Sequence, residues 1–163
     1  MERKALFAGS FDPMTNGHLN IIERAAAMFD SLTVAIVVNP QKTGFFTVEE
    51  RAEIARELTG HIPNVKIDCF SGLLADYVND NGFSAVVRGL RDTADFLNEF
   101  QMAQMNRLLY TENTETVFLM TDPECSFISS SLVKEVAGLG GDVSRLVHPY
   151  VAGRIRDKLS KDK

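Results

Sequence analysis

Four short stretches of this chain carry residue types that suit work on phosphate. The first is Gly9-Ser10-Phe11-Asp12-Pro13-Met14-Thr15-Asn16-Gly17-His18. An imidazole can hydrogen-bond a phosphate oxygen as charge builds there in a transition state. Asn16-Gly17 tolerates the left-handed backbone that lets bare main chain approach an anion. The second, Asn39-Pro40-Gln41-Lys42-Thr43-Gly44-Phe45-Phe46, offers Lys42 and ends in a glycine and two phenylalanines, the pattern of a water-excluding flap. The third, Val87-Arg88-Gly89-Leu90-Arg91-Asp92, offers two guanidinium groups, which match phosphate oxygens in bidentate fashion. The fourth runs from Cys125 through Ser126, Phe127, Ile128, Ser129 and Ser130 to Ser131 and opens a helix. Hydroxyls and free N–H groups at a positive dipole end suit a triphosphate.

Each stretch also has a plainer reading. A histidine at a helix start commonly caps it, Lys42 fits a solvated loop, Arg88 and Arg91 fit a surface turn, and the serines fit N-caps. Taken together, Lys42, Arg88 and Arg91 make an anionic-ligand pocket in a chain that is otherwise acidic. That chain has 17 Lys and Arg against 22 Asp and Glu, a net charge of −5. The balance argues against a nucleic-acid partner, which needs a basic face.

These stretches must be held at the ends of regular elements. Apolar runs at Lys4–Ala8, Leu32–Val38, Val65–Phe70, Ser84–Val87 and Thr116–Met120 predict five strands, several rich in Val, Ile and Phe. Helical spacing fills the gaps between them. Leu19–Phe29 is amphipathic, with Leu19, Ile22, Ala26 and Phe29 on one face. Val48, Ala52, Ala55 and Leu58 follow Thr47 and Glu50 at capping-box spacing. Further helices are expected near Leu73–Asn79, Thr93–Tyr110, Ser130–Ala137 and Pro149–Leu159, and Gly138-Leu139-Gly140-Gly141 reads as a helix stop. The alternation predicts a single doubly wound α/β domain over residues 1–163, Rossmann-like, with a five-stranded parallel sheet and C-terminal helices. In such a sheet ligands bind at the carboxyl ends of the strands, where all four stretches fall.

The helix from Thr93 stands apart. Asp95, Glu99 and Asn106 form a narrow polar stripe, from which Glu99 is placed to accept a ribose hydroxyl. The broad remainder is apolar, with Leu97, Met105 and Leu108 on one side and Phe96, Phe100 and Ala103 on another. That points to burial on two sides, in a subunit interface or in the core.

Absences narrow the field. There is no GxxxxGK[ST] loop, no GxGxxG after a strand, no GxSxG elbow and no CxxC pair. His18, His61 and His148 lack metal-ligand spacing, so no metal site built from protein side chains is expected. Cys69 and Cys125 are too few for a disulfide framework, and no apolar run reaches the roughly 20 residues that cross a bilayer. Met1-Glu2-Arg3-Lys4 leads straight into a strand. A cytoplasmic protein without a membrane anchor is expected.

Thr15-Asn16-Gly17-His18 resembles the T/HxGH signature of the nucleotidyltransferase superfamily, and Ile128-Ser129-Ser130-Ser131 resembles the start of its ISSTxxR motif. With Gly9 to Pro13, Arg88 to Arg91 and Ser126 to Glu135, the chain is most similar to the bacterial phosphopantetheine adenylyltransferase family, from about residue 4 to 159. The resemblance implies adenylyl transfer from ATP to 4′-phosphopantetheine, in coenzyme A biosynthesis, with Mg²⁺ held mainly by the ATP phosphates. It implies catalytic roles for His18, Lys42 and Arg91. Ser10, Lys42, Leu74 and Arg88 would bind phosphopantetheine. Ser10, Phe11, His18, Gly89, Leu90, Arg91, Glu99 and the stretch Cys125 to Ser131 would bind ATP. It further implies a homohexamer and coenzyme A as a feedback ligand. Lys134 stands where the wider superfamily has arginine, and Cys125 where many relatives carry a bulkier aromatic residue. A same-fold enzyme acting on nicotinamide mononucleotide or glycerol phosphate is the near alternative, and a non-catalytic nucleotide-binding module the more distant one.

Overall fold

The computed structural model describes residues 2–161, so Met1, Asp162 and Lys163 of the expected domain lie outside the described residues. Within that span β1 (Lys4–Gly9), α1 (Asn16–Met28), β2 (Ser31–Val38), α2 (Val48–Thr59), β3 (Val65–Ser71), α3 (Leu74–Asn81), β4 (Ala85–Leu90), α4 (Thr93–Leu109) and β5 (Glu115–Met120) alternate. A short 3₁₀ turn (Pro123–Cys125), α5 (Ser130–Gly138) and α6 (Pro149–Lys161) follow. The five strands form one all-parallel sheet in the order β3-β2-β1-β4-β5.

Alternation along each strand divides the core in two. On β1, Ala5 and Phe7 join Val34, Ile36 and Val87 under α1, α2, α5 and α6, in one large buried cluster. Leu6 and Ala8 face the other way, with Ala35, Val86 and Val78 of α3. Because both faces are covered, the strands read as continuous apolar runs.

Two element ends differ from the sequence expectation in ways that matter for function. β4 continues to Leu90 instead of stopping at Val87, because Arg88, Gly89 and Leu90 pair with Phe118, Leu119 and Met120 of β5. Arg88 and Gly89 are therefore strand residues, and only Arg91 lies beyond the strand. α1 begins at Asn16, which puts His18 within its first turn. The α5 stop behaves as expected. Gly140 takes φ +80°, and the Gly141 and Gly140 N–H groups return to the Val136 and Ala137 carbonyls at 2.8 and 3.0 Å, closing a Schellman motif.

α4 contributes only Asn106 to the buried set. Phe96, Leu97, Phe100, Met102, Met105, Leu108 and Leu109 are all exposed, Leu108 to 85%. It is therefore not a core helix of this chain.

Candidate active site

The sheet changes winding direction between β1 and β4, and a cleft of about 250 Å³ opens at their carboxyl ends. Phe11, His18, Arg88, Gly89, Arg91, Glu99, Ile128, Ser129 and Ser130, all expected from the sequence, line it. Residues from β1, α1, β4, α4 and α5 thus meet across large sequence separations.

His18 owes its position to a capping box. Thr15 is the N-cap of α1, and its hydroxyl accepts the His18 N–H at 3.4 Å. In return His18 Nδ1 accepts the Thr15 N–H at 3.0 Å. With Nδ1 an acceptor, the proton of the neutral ring sits on Nε2. Burial pushes the His18 pKa down to about 4, and the nearby Arg91 and Arg88 charges add to the shift. At neutral pH the ring is an uncharged donor of fixed tautomer. Phe11 packs edge-on to it at 5.0 Å and Phe7 lies tilted at 6.5 Å. Phe11 holds a left-handed φ of 48°, which costs a non-glycine residue about 1 kcal/mol. Burial of its ring to 3% exposure offsets that strain.

The loop between β1 and α1 is fastened from the α2 side. Asp12, itself buried, accepts the Phe45 and Phe46 N–H groups, both at 2.8 Å. Arg51 of α2, also buried, donates to the Phe46 carbonyl at 3.1 Å and the Ser10 carbonyl at 3.0 Å. Gly44 is required by this approach, since a Cβ there would stand 2.7 Å from the Phe46 carbonyl oxygen. With Phe46 at 1% exposure, the Phe45-Phe46 pair is an anchor rather than the flap its composition suggested.

Both cleft arginines come with carboxylate partners from α4. Arg88 is bidentate to Glu99 at 2.7 Å on each side, and also donates to the Ala8 carbonyl at 2.9 Å. Arg91 is bidentate to Asp95 at 2.8 and 3.1 Å. Glu99 therefore orients Arg88 while itself lining the cleft. Asp95 stood in the predicted polar stripe, and its four-residue spacing from Arg91 is the signal that could have marked it as the arginine's partner.

At the other wall, Ser129 is the N-cap of α5, accepting the Leu132 N–H at 3.1 Å, and the Ser130 hydroxyl donates to the Pro13 carbonyl at 2.8 Å. The backbone N–H groups of Ser130 and Ser131 at the first turn have no intrahelical acceptor and are available to an anion. Cys125 and Ser126 belong to the 3₁₀ turn and its cap, and Phe127 is 61% exposed.

Several expected residues stand outside the cleft lining. Ser10 is exposed at the end of β1 and Lys42 is exposed in the loop after β2, the neighbouring strand. Leu90 is half-buried, and its carbonyl accepts the Thr121 N–H and hydroxyl at 2.8 and 2.9 Å. Leu74 lines a smaller adjoining cavity that shares Arg88 and Glu99 with the cleft. Lys134 lies 3.9 Å from Asp12. Thr121 lines the cleft without having been singled out. The rule that places ligands at strand ends would have found it, as the first residue after β5.

Residues 6–136 match the cytidylyltransferase-like family model. A phosphopantetheine adenylyltransferase from Heliobacterium modesticaldum is 51% identical over 154 residues, covering 94% of this chain and 91% of that protein. One from Corynebacterium diphtheriae is 51% identical over 158 residues, covering 96% and 98%. A crystal structure from Vibrio parahaemolyticus, described as a nicotinate-nucleotide adenylyltransferase, superposes with a TM-score of 0.70 over 95% of this chain and 99% of that one. At 16% identity this last likeness speaks to the fold alone.

Proposed function

Since the chain belongs to the phosphopantetheine adenylyltransferase family, within the cytidylyltransferase-like group, we propose that it transfers AMP from ATP to 4′-phosphopantetheine. The products are dephospho-coenzyme A and pyrophosphate. The reaction class rests on one observation, a neutral imidazole donor and two guanidinium groups facing one cleft at the switch point of the sheet. The choice of acceptor rests on near-full-length kinship with two phosphopantetheine adenylyltransferases, and nothing favours nicotinamide mononucleotide or glycerol phosphate.

A phosphate oxygen of 4′-phosphopantetheine attacks the α-phosphorus of ATP. The bond from that phosphorus to the bridging oxygen of the β-phosphate breaks, and pyrophosphate leaves with the electron pair. Charge grows on the α-phosphate oxygens, and His18 Nε2–H donates to one of them. Being neutral, the ring stabilises that charge without binding the ground state as an ion pair would. Arg91, and Arg88 beside it, offset charge on the phosphates, while the N-terminus of α5 receives the leaving end. We assign ATP to Ser10, Phe11, Gly89 to Arg91, Glu99 and the stretch Cys125 to Ser131. Ser10, Lys42, Leu74 and Arg88 are assigned to the acceptor. The long flexible stem of Lys42 suits it to reach the acceptor phosphate from the neighbouring strand end. The cavity shared by Leu74 and Arg88 supports an acceptor arm leaving the cleft on that side.

Among the described residues no three His, Cys, Asp or Glu side chains converge as a metal site, and Asp95 and Glu99 are engaged by arginines. We propose that Mg²⁺ enters with its substrate, as Mg-ATP. A homohexamer belongs to the same proposal, supported by the uncovered apolar faces of α4. So does feedback by coenzyme A, which carries both the pantetheine arm and the adenylate. A cytoplasmic location is consistent with the absence, among the described residues, of any helix long and apolar enough to cross a membrane.

The test is pyrophosphate release from Mg-ATP with 4′-phosphopantetheine, nicotinamide mononucleotide or glycerol 3-phosphate. Release with phosphopantetheine only, with dephospho-coenzyme A formed, is expected. Release with another acceptor only would move the enzyme to another branch, and ATP binding without release would make it a non-catalytic module.

A further inference from the structure

We propose that Asn20 and Arg24 are positioning residues that lock the nucleotide wall of the cleft to the helix carrying His18, an inference that rests on the nucleotide assignment above. Gly17, Asn20 and Arg24 follow one another at three- and four-residue spacing, so they form one stripe of α1, rotated away from His18. The stripe meets the segment between β5 and α5 at three points. A Cβ on Gly17 would lie 3.8 Å from the Cys125 carbonyl oxygen, so the turn passes close to the helix there, about one methyl group away. Asn20 grips Asp122 twice, with Nδ2 donating to Oδ2 at 2.7 Å and Oδ1 accepting the Asp122 N–H at 3.2 Å. The Arg24 guanidinium donates to the Met120 carbonyl at 2.6 Å, to Asp122 Oδ1 at 3.3 Å and to Asn20 Oδ1 at 3.2 Å.

The gripped segment goes straight into the cleft. Thr121 lines it directly, and the Cys125 carbonyl accepts the N–H of Ile128, which lines it with Ser129. One rigid helix therefore sets the distance between the imidazole at its N-terminus and the wall that faces it. The Arg24–Asp122 pair is half exposed, at 40% and 56%, and pairs so exposed contribute little to stability. What the clamp supplies is registry between two walls. Small misplacements of a bound substrate are costly to the transition state even when the fold survives.

The test compares the full-length wild type with Arg24→Ala, Arg24→Lys and the double variant Asn20→Ala/Arg24→Ala. KM for Mg-ATP should rise about tenfold in the double variant and less in Arg24→Ala, while KM for 4′-phosphopantetheine stays within about twofold. Arg24→Lys keeps a donor for the Met120 carbonyl and should recover part of the loss. Calorimetric affinity for ATP should fall, while affinity for inorganic tripolyphosphate, which needs only the phosphate end, should not. The inference is overturned if both KM values move together, if neither moves, if tripolyphosphate weakens in step with ATP, or if Arg24→Ala unfolds at a clearly lower temperature. A wild type that binds ATP without turnover would defeat the functional reading alone, because the ratio of ATP to tripolyphosphate affinity still reads the clamp.

Discussion

The two sides of the cleft are built by different means. On the β1 side, the loop from Ser10 to Thr15 is held by buried groups, with Asp12 and Arg51 bonded to main chain and Thr15 and His18 capping each other. On the β4 side, Arg88 and Arg91 are held by carboxylates of α4, a helix that buries one polar residue and leaves its apolar faces exposed. The chain thus completes one wall by itself. The other wall leans on an element whose apolar faces this chain leaves uncovered, the faces assigned to the proposed homohexamer. In this reading assembly and catalysis are joined through α4.

The strongest break of this contrast is His18→Ala. It removes a donor from the completed wall and an acceptor from the buried Thr15 N–H, so kcat should fall by about 10³-fold while ATP affinity holds and stability drops by only about 1 kcal/mol. Single-turnover kinetics with a parallel melt check it, and a near-normal kcat would remove His18 from the chemistry.

Next is Asp12→Ala, which leaves the Phe45 and Phe46 N–H groups without their carboxylate in a buried setting. The expected loss is about 3 kcal/mol of unfolding free energy, read by denaturant titration. A loss comparable to an exposed polar substitution would mean that the wall is not held from α2.

Leu108→Glu probes the opposite side. Leu108 is 85% exposed in the single chain, so chain stability should change by less than about 0.5 kcal/mol. Sedimentation should nevertheless report loss of the oligomer, with activity falling alongside it. An unchanged assembly would leave the α4 face without its proposed partner.

The remaining test is a pH dependence. His18 has a folded pKa of about 4, below the 6.5 of a free imidazole, so its neutral form is the stabilised one. Its contribution to stability is complete above about 6.5 and lost as pH falls towards 4, where the unfolded chain binds the extra proton. A His18 ring resonance titrating near 6.5 would contradict the neutral donor, and kcat should show no limb from this group between about pH 6 and 8.

The alternation of apolar runs with helical spacing made the parallel sheet legible before any coordinates. Thr15 to His18 and Ile128 to Ser131 made two walls of the cleft legible, because strand-end position and residue type are local properties. The end of β4 was not. Arg88, Gly89 and Leu90 look like a turn until β5 supplies their hydrogen-bond partners. The Phe45-Phe46 pair read as a flap for the same reason, because Asp12, which anchors it, lies in another loop.

By itself, the sequence determined the α/β class, the five strands, the capping residues and the grouping of an imidazole with two guanidinium groups at the strand ends. Tertiary structure alone decided that Glu99 holds Arg88, that the His18 ring is a neutral Nε2–H donor, and that Asn20 and Arg24 tie α1 to the β5–α5 segment. Pattern and propensity are carried by neighbours along the chain. Protonation state, ion-pair partner and wall-to-wall distance are set by groups that only folding brings together.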